Sequence, residues 1–213
     1  MASTQCTVPL SKLTSSPFNL LLGYSINIKV VATNDYGDSE VSDPGNGGVI
    51  VLVPDPPLNL QNDPSVTDKA TIRFTWTDGA SDGGETIIDY RVSYDQATGN
   101  YVELASGLTV QGYTTSVTLT AGRTYSFKVE ARNSVGYSAV SDKVSILAAQ
   151  APDKPAAPVT SVDGDNIVIS WTIPEDGASS ITSYFIVIRQ NDDATYSENI
   201  ANCNGQDQAI IES

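Results

Sequence analysis

The sequence predicts an all-β fold built of small antiparallel sandwiches, and three observations carry the prediction. Apolar residues recur at every second position in short runs. Gly, Pro and Asp punctuate those runs at roughly ten-residue intervals, and the whole pattern repeats along the chain at near-constant offsets. The pattern is most complete over residues 54–149. There Ile72, Phe74 and Trp76 fall on one face of a strand. Residues 78–84 carry three glycines and two aspartates, a run that no helix tolerates. Ile87, Tyr90, Val92 and Tyr94 mark a second strand, with Val117 and Leu119 following Gly112. After Gly122, Tyr125, Phe127, Val129 and Ala131 keep period two; residues 134–137 make a turn, and residues 140–147 supply a last strand. About seven strands at this spacing argue for a sandwich.

Particular residues give this stretch a family resemblance. Pro54, Asp55, Pro56 and Pro57 resemble the opening motif of the fibronectin type III (FN3) module, a sandwich of the immunoglobulin-like class, and Trp76 resembles its core tryptophan. Residues 119–125 resemble the E–F corner, where the resemblance implies that the Tyr125 hydroxyl bonds back to the backbone. Residues 131–136 with Ser138 resemble the F–G region, so the resemblance covers all of 54–149.

The two flanks repeat parts of that module. In residues 1–50, Ile26, Ile28, Val30 and Ala32 alternate, and Asn34, Gly37 and Ser39 stand 99 residues before Asn133, Gly136 and Ser138. Gly23 matches Gly122, but Ile26 stands at the Tyr125 position, with Tyr24 two residues earlier. Residues 6–10 and 18–22 are the expected strand E and corner, and no counterpart of Trp76 precedes them. This is the C-terminal half of a module, strands E, F and G. Residues 152–213 read as the N-terminal half, strands A, B, C and C′. Pro152 and Pro155 repeat the opening motif, and Ile167, Ile169 and Trp171 repeat Ile72, Phe74 and Trp76 at an offset of 95. Ile181, Tyr184, Ile186 and Ile188 repeat Ile87, Tyr90, Val92 and Tyr94 at an offset of 94. A short strand at residues 195–200 and a segment at Ile210 and Ile211 follow. The halves together make one module with about fifteen extra residues near strand E.

Each half alone leaves long strand edges open and falls near the size below which a domain does not stabilise itself. The resemblance implies module termini at opposite poles, and a ten-residue strand spans roughly 33 Å. The linkers at residues 51–53 and 150–151 are too short to wrap back over that distance. The partner expected is therefore another copy, head to tail: residues 1–50 of one copy complete residues 152–213 of its neighbour by strand complementation, and Ser213 lies beside Met1 of the next copy. A non-closing contact of this kind makes a filament, and a continuous tandem array gives the same mixed domain. The shared core is expected to pack Trp171 against Ile28 and Val30. Cys6 and Cys203 fall in opposite halves and are expected to form a disulfide between neighbouring copies. Within one continuous chain that loop of fifteen residues would contribute about 3 kcal/mol in the entropy model. Two free thiols are the alternative. The segments around both cysteines are similar to tandem FN3 repeats in large surface proteins of ciliates and other protists, which implies an extracellular or cell-surface setting.

Composition narrows the partners. With 25 acidic against 11 basic residues, the net charge is −14, which disfavours nucleic acid and anionic membrane surfaces. The sequence holds no apolar run long enough to span a membrane and no Asn-x-Ser/Thr site; residues 1–22 do not read as a signal peptide. With no histidine the usual general base and the commonest metal ligand are missing, and no serine sits in a nucleophile elbow; no enzyme activity and no cofactor are expected. Asp163 with Asp165, Asp192 with Asp193, Asp35 with Asp38 and Asp78 with Asp82 supply oxygen atoms of the kind Ca²⁺ takes, without the spacing of a calcium loop. They fit a solvated acidic surface with Asp in turns, leaving room only for weak calcium binding near Asp55 and Asp153. Tyr36 and Tyr137 lie in or beside the F–G turns as exposed residues or interface anchors. The function expected is a structural repeat of an extracellular fibre or surface coat, in contact with its own copies and other surface proteins. An adhesion or receptor ectodomain fragment binding a protein through its loops, and an intracellular scaffold with reduced cysteines, are the alternatives.

Overall fold

The computed structural model describes residues 4–211; the expected meeting of Ser213 with Met1 lies outside the described residues. The fold is all-β, with two four-residue helices, and divides into two compact units. Among the described residues the first holds 4–62, 74–113 and 125–145, and the second holds 63–73, 114–124 and 146–211.

The N-terminal segment contains α1 (Leu10–Leu13), β1 (Ser25–Ile28), β2 (Thr33–Asn34), β3 (Gly37–Asp38) and β4 (Gly45–Val49). β1 pairs antiparallel with β4, and β2 with β3. Strand E and the corner are expected at residues 6–10 and 18–22; instead Leu10 enters α1, and residues 18–22 form turns and coil. The sheet partner that holds strand E in a complete module is strand B, and residues 1–50 contain no strand B. A short apolar run with nothing to pair against takes local turns instead.

The complete stretch holds β5 (Leu58–Asn62), β6 (Arg73–Thr77), β7 (Asp89–Tyr94), β8 (Val102–Leu108), β9 (Gly112–Thr114), β10 (Thr124–Arg132) and β11 (Val144–Leu147). These form a three-stranded sheet in the order β5, β6, β9 and a four-stranded sheet in the order β11, β10, β7, β8, the arrangement of a Greek-key sandwich. The two faces meet through rings: the Phe74 and Phe127 centroids lie 4.7 Å apart, and those of Trp76 and Tyr90 lie 5.4 Å apart. Ile72, Phe74, Val92, Phe127, Val129 and Ala131 are fully buried, with Trp76 and Tyr125 nearly so. Three strands, β5, β8 and β9, are not among those the sequence reading marks. The last strand starts at Val144 rather than at 140, and Val117 and Leu119 lie in coil after β9.

The C-terminal segment contains β12 (Val159–Asp163) paired with β13 (Asn166–Ser170), then β14 (Ile188–Arg189) paired with β15 (Tyr196–Ser197), and α2 (Gln208–Ile211). Residues 184–187 are expected as strand yet lie outside any β-ladder. β7, the strand they repeat, is held between β8 and β10; the segment has no counterpart of β10. The expected strand at 195–200 shrinks to Tyr196 and Ser197, and Ile210 and Ile211 end in α2.

Candidate functional site

Within the first unit, the linker out of the N-terminal segment is seated on the central sandwich by a fixed set of bonds. The Gly23 amide donates to the Ile50 carbonyl (2.8 Å), and the Ile50 amide to the Tyr24 carbonyl (3.0 Å). Ile50 is fully buried. The Leu52 and Asp55 amides then donate to the Gly83 and Ser81 carbonyls, each at 2.8 Å. Gly83 has φ +81°, and a Cβ there would run into the Leu52 carbonyl, so only glycine fits the turn without strain. Buried Asn133 closes the joint: its Nδ2 donates to the carbonyls of Leu52 (2.7 Å) and Asp82 (2.9 Å), while its Oδ1 accepts from the Val135 amide (2.9 Å).

Within the second unit the same device recurs. Gly122 donates to the Ala148 carbonyl and Ala148 to that of Arg123, both at 2.9 Å. Gln150 and Asp153 donate to the Gly177 and Glu175 carbonyls, both at 2.9 Å. Gly177 has φ +67° and faces the Gln150 carbonyl as Gly83 faces Leu52. One component has no counterpart in this unit. The residue equivalent to Asn133 in the repeat is Asn34, in the other flank; it is exposed, its Oδ1 accepts from the Tyr36 amide (2.8 Å) as Asn133 does from Val135, and its Nδ2 has no partner among the described residues.

The N-terminal segment also repeats the β10 edge, bond for bond. Ser138 and Ser141 donate their amides to Ala131 and Val129 at 2.8 and 2.9 Å, and Ser39 and Ser42 do so to Ala32 and Val30 at 2.8 and 3.0 Å. The serine hydroxyls accept the return bonds, all at 3.0 Å, from Val129, Ala131, Val30 and Ala32. Burial is the difference. Val129 and Ala131 are fully buried, whereas Val30 is 64% and Ile28 60% exposed.

In the C-terminal segment Trp171 meets Tyr184 edge-on at 5.1 Å and 66°, as Trp76 meets Tyr90 at 5.4 Å and 68°. Both rings border an apolar groove of about 410 Å³ with Pro155, Ile169 and Ile186. Phe185 is 77% exposed. Tyr90 donates its hydroxyl to Asp78, and Gln111 bridges to Asp78 at 2.8 Å. Burial first, then the Asp78 carboxylate, pushes the Tyr90 phenol up to about 12. At the offset of the repeat Ile173 stands where Asp78 does, and the buried hydroxyl of Tyr184 has no partner among the described residues.

Of the residues singled out in the sequence, Trp76 and Tyr125 lie in the core of the central sandwich. Trp171 lines the groove of its segment, while Ile28 and Val30 stand on an open face. Cys6 is exposed and Cys203 half-buried, both as free thiols in the single chain. Tyr137 is covered by the Arg91 guanidinium at 4.0 Å, and Tyr36 is wholly exposed. The paired aspartates serve turns: Asp82 accepts from the Gly84 amide, Asp192 from Ala194 and Thr195, and Asp38 from the Thr33 hydroxyl. Among the described residues no three metal-ligating side chains gather, and no helix is long and apolar enough to cross a membrane. The linker glycines and Asn133 were not foreseen as a joint, although their repetition at fixed offsets was visible.

Residues 55–146 match the family described as Fibronectin type III domain. Fibronectin type-III domain-containing protein 3a of Gallus gallus is 29% identical over 167 residues, covering 76% of this chain and 14% of that protein. Human Myomesin-2 is 27% identical over 184 residues, covering 81% of this chain and 12% of its own length. The chain thus spans about a seventh of the length of such relatives. Among solved structures, titin kinase and its flanking domains gives 30% identity and a TM-score of 0.38, over 43% of this chain and 16% of that one.

Proposed function

Residues 55–146 are a fibronectin type III domain, and from that premise we propose that the chain is a structural repeat of an extracellular fibre or surface coat, assembled head to tail. In this reading residues 1–50 and 152–213 are two halves of a second module, each completed by a neighbouring copy. One observation carries it: the N-terminal segment reproduces the β10 edge hydrogen bond for hydrogen bond, the C-terminal segment reproduces the Trp76 and Tyr90 side of the core, and each leaves exposed what the other would cover. The work of such a unit is mechanical. Sandwiches joined by short, hydrogen-bonded linkers transmit load along the chain, and completion of the split module ties one repeat to the next. Cys6 and Cys203 lie in opposite halves, where a bond between copies would lock the completed module.

Sedimentation velocity over a range of concentrations, with negative-stain imaging and denaturing gels run with and without reductant, tests the reading. Species that grow with concentration beyond a dimer, seen as filaments and carrying reducible cross-links, are expected. A folded monomer with free thiols at every concentration overturns it and favours a binding module that works through its loops.

A further inference from the structure

The repeat contains more than two matching halves; it contains the register in which they would join. In the central sandwich, Val129 and Ala131 direct their amides and carbonyls to Ser141 and Ser138. By the alternation of a strand, Lys128 and Glu130 turn theirs to β7, where Glu130 lies opposite Arg91 and Lys128 opposite Ser93. In the N-terminal segment Val30 and Ala32 are committed to Ser42 and Ser39 in the same way. Lys29 and Val31 therefore face the other edge, and their backbone groups have no partner among the described residues.

The C-terminal segment is open on the facing side. Tyr184 donates its amide to Gly205 (2.8 Å), the side on which the equivalent Tyr90 meets Leu108 of β8. Alternation then turns Phe185 and Val187 to the edge that β10 covers in the complete module, and their backbone groups too lack partners among the described residues.

We propose that residues 28–33 of one copy add antiparallel to residues 183–188 of the next in one defined register: Ile28 opposite Ile188, Val30 opposite Ile186, Val31 opposite Phe185 and Ala32 opposite Tyr184. The same contact brings Asn34 of the first copy to the carbonyls of Gln150 and Asp176 of the next, as Asn133 reaches Leu52 and Asp82. This rests on the reading that copies complete each other, and it names the edges and the clamp by which they do so. The occupant is a second copy of this chain because residues 28–34 carry, at the offset of the repeat, the strand, the serine-bonded edge and the clamp residue that the complete module sets on this side. The side chains agree. Val30 and Ile28 face inward toward the groove beside Trp171, and on the outer face Val31 and Phe185 replace the ion pair of Glu130 with Arg91 (2.7 Å) by an apolar pair. The two substitutions match each other; a charge on either alone would face an apolar partner.

The test places Val31→Cys and Phe185→Cys in the full chain with Cys6→Ser and Cys203→Ser, and compares it with Val31→Cys and Val187→Cys, a shift of two residues. Under mild oxidation the first pair is expected to give a reducible ladder on denaturing gels at least tenfold faster than the second. A faster ladder from the shifted pair overturns the register while leaving copy-to-copy assembly standing. A cross-linked monomer overturns the second copy as occupant. Asn34→Ala, which keeps both strand edges intact, is expected to raise the concentration needed for assembly at least tenfold without moving the unfolding of the central domain; Asn133→Ala is expected to destabilise the monomer itself. Unchanged assembly of Asn34→Ala overturns the clamp, and absence of assembly in the unaltered chain overturns the underlying functional reading instead.

Discussion

Trp76 and Trp171 occupy the same place in one sequence pattern, and the chain gives them different fates. Trp76 is 3% exposed between two sheets; Trp171 rests on Tyr184 at the margin of an open groove. The same holds for Val129, fully buried, and Val30, 64% exposed, although both make the same pair of bonds to a serine. The serine bonds of this edge are thus kept in the N-terminal flank while the burial is not. What a strand needs beyond its own pattern is the facing sheet, which supplies the hydrophobic term.

The largest expected effect breaks the comparison at the tryptophans. Trp76→Ala should cost about 3–5 kcal/mol in denaturant unfolding, the range for removing a core aromatic, whereas Trp171→Ala should leave the unfolding of the central domain unmoved in dilute solution. Next comes Arg132→Ala. It leaves the buried Asp89 carboxylate without the guanidinium that donates to both its oxygens. The expected loss is smaller than that of Trp76→Ala because Arg132 is itself partly exposed to water, as read by the denaturant midpoint. Thr33→Ala, at the equivalent flank position, should stay within about 0.5 kcal/mol.

Glycine substitutions sharpen the comparison between the two joints. Gly83→Ala forces a Cβ into the Leu52 carbonyl at positive φ and should cost about 1–3 kcal/mol. Gly177→Ala meets the same obstacle at Gln150, yet it should appear as faster proteolysis of the 150–177 joint without a shift in central-domain unfolding.

Last comes the pH dependence that Tyr90 imposes, which is felt only in alkali. Its folded-state value near 12 lies above the value of about 10 of a free phenol, so the native state holds this proton more tightly. The stability it contributes is complete below pH 10 and falls as pH rises from 10 toward 12. Tyr90→Phe should flatten that decline, as read by denaturant midpoints across the window.

The sandwich was legible because its strands obey two rules at once, alternation and turn chemistry: Ile72, Phe74 and Trp76 alternate, and a run of Gly and Asp follows them. β8 was illegible because Glu103, Ser106 and Gly107 break any apolar alternation. β5 was hidden behind the proline-rich opening despite the spacing of Leu58 and Leu60. The failures in the flanks have a different cause. Residues 184–187 carry the strand pattern in full and still form no ladder, because pairing belongs to two segments and only one is present in that half. Residues 6–10 and 18–22 fall at the place of strand E and the corner in the repeat, but without a strand B to pair with the chain there folds into a helical turn and local turns. The joints were visible as offsets; their bonds were not, since backbone amides leave no mark on composition.

Amide hydrogen exchange at Lys29, Val31, Phe185 and Val187, followed from dilute to concentrated protein, tests most directly whether each flank is half of a module awaiting another copy. The account predicts exchange near the unprotected rate in the dilute monomer, slowing at least tenfold together at all four amides as assembly sets in, with the amides of β10 unchanged throughout. Fast exchange at all four in fully assembled material would contradict it, as would protection already complete in the monomer.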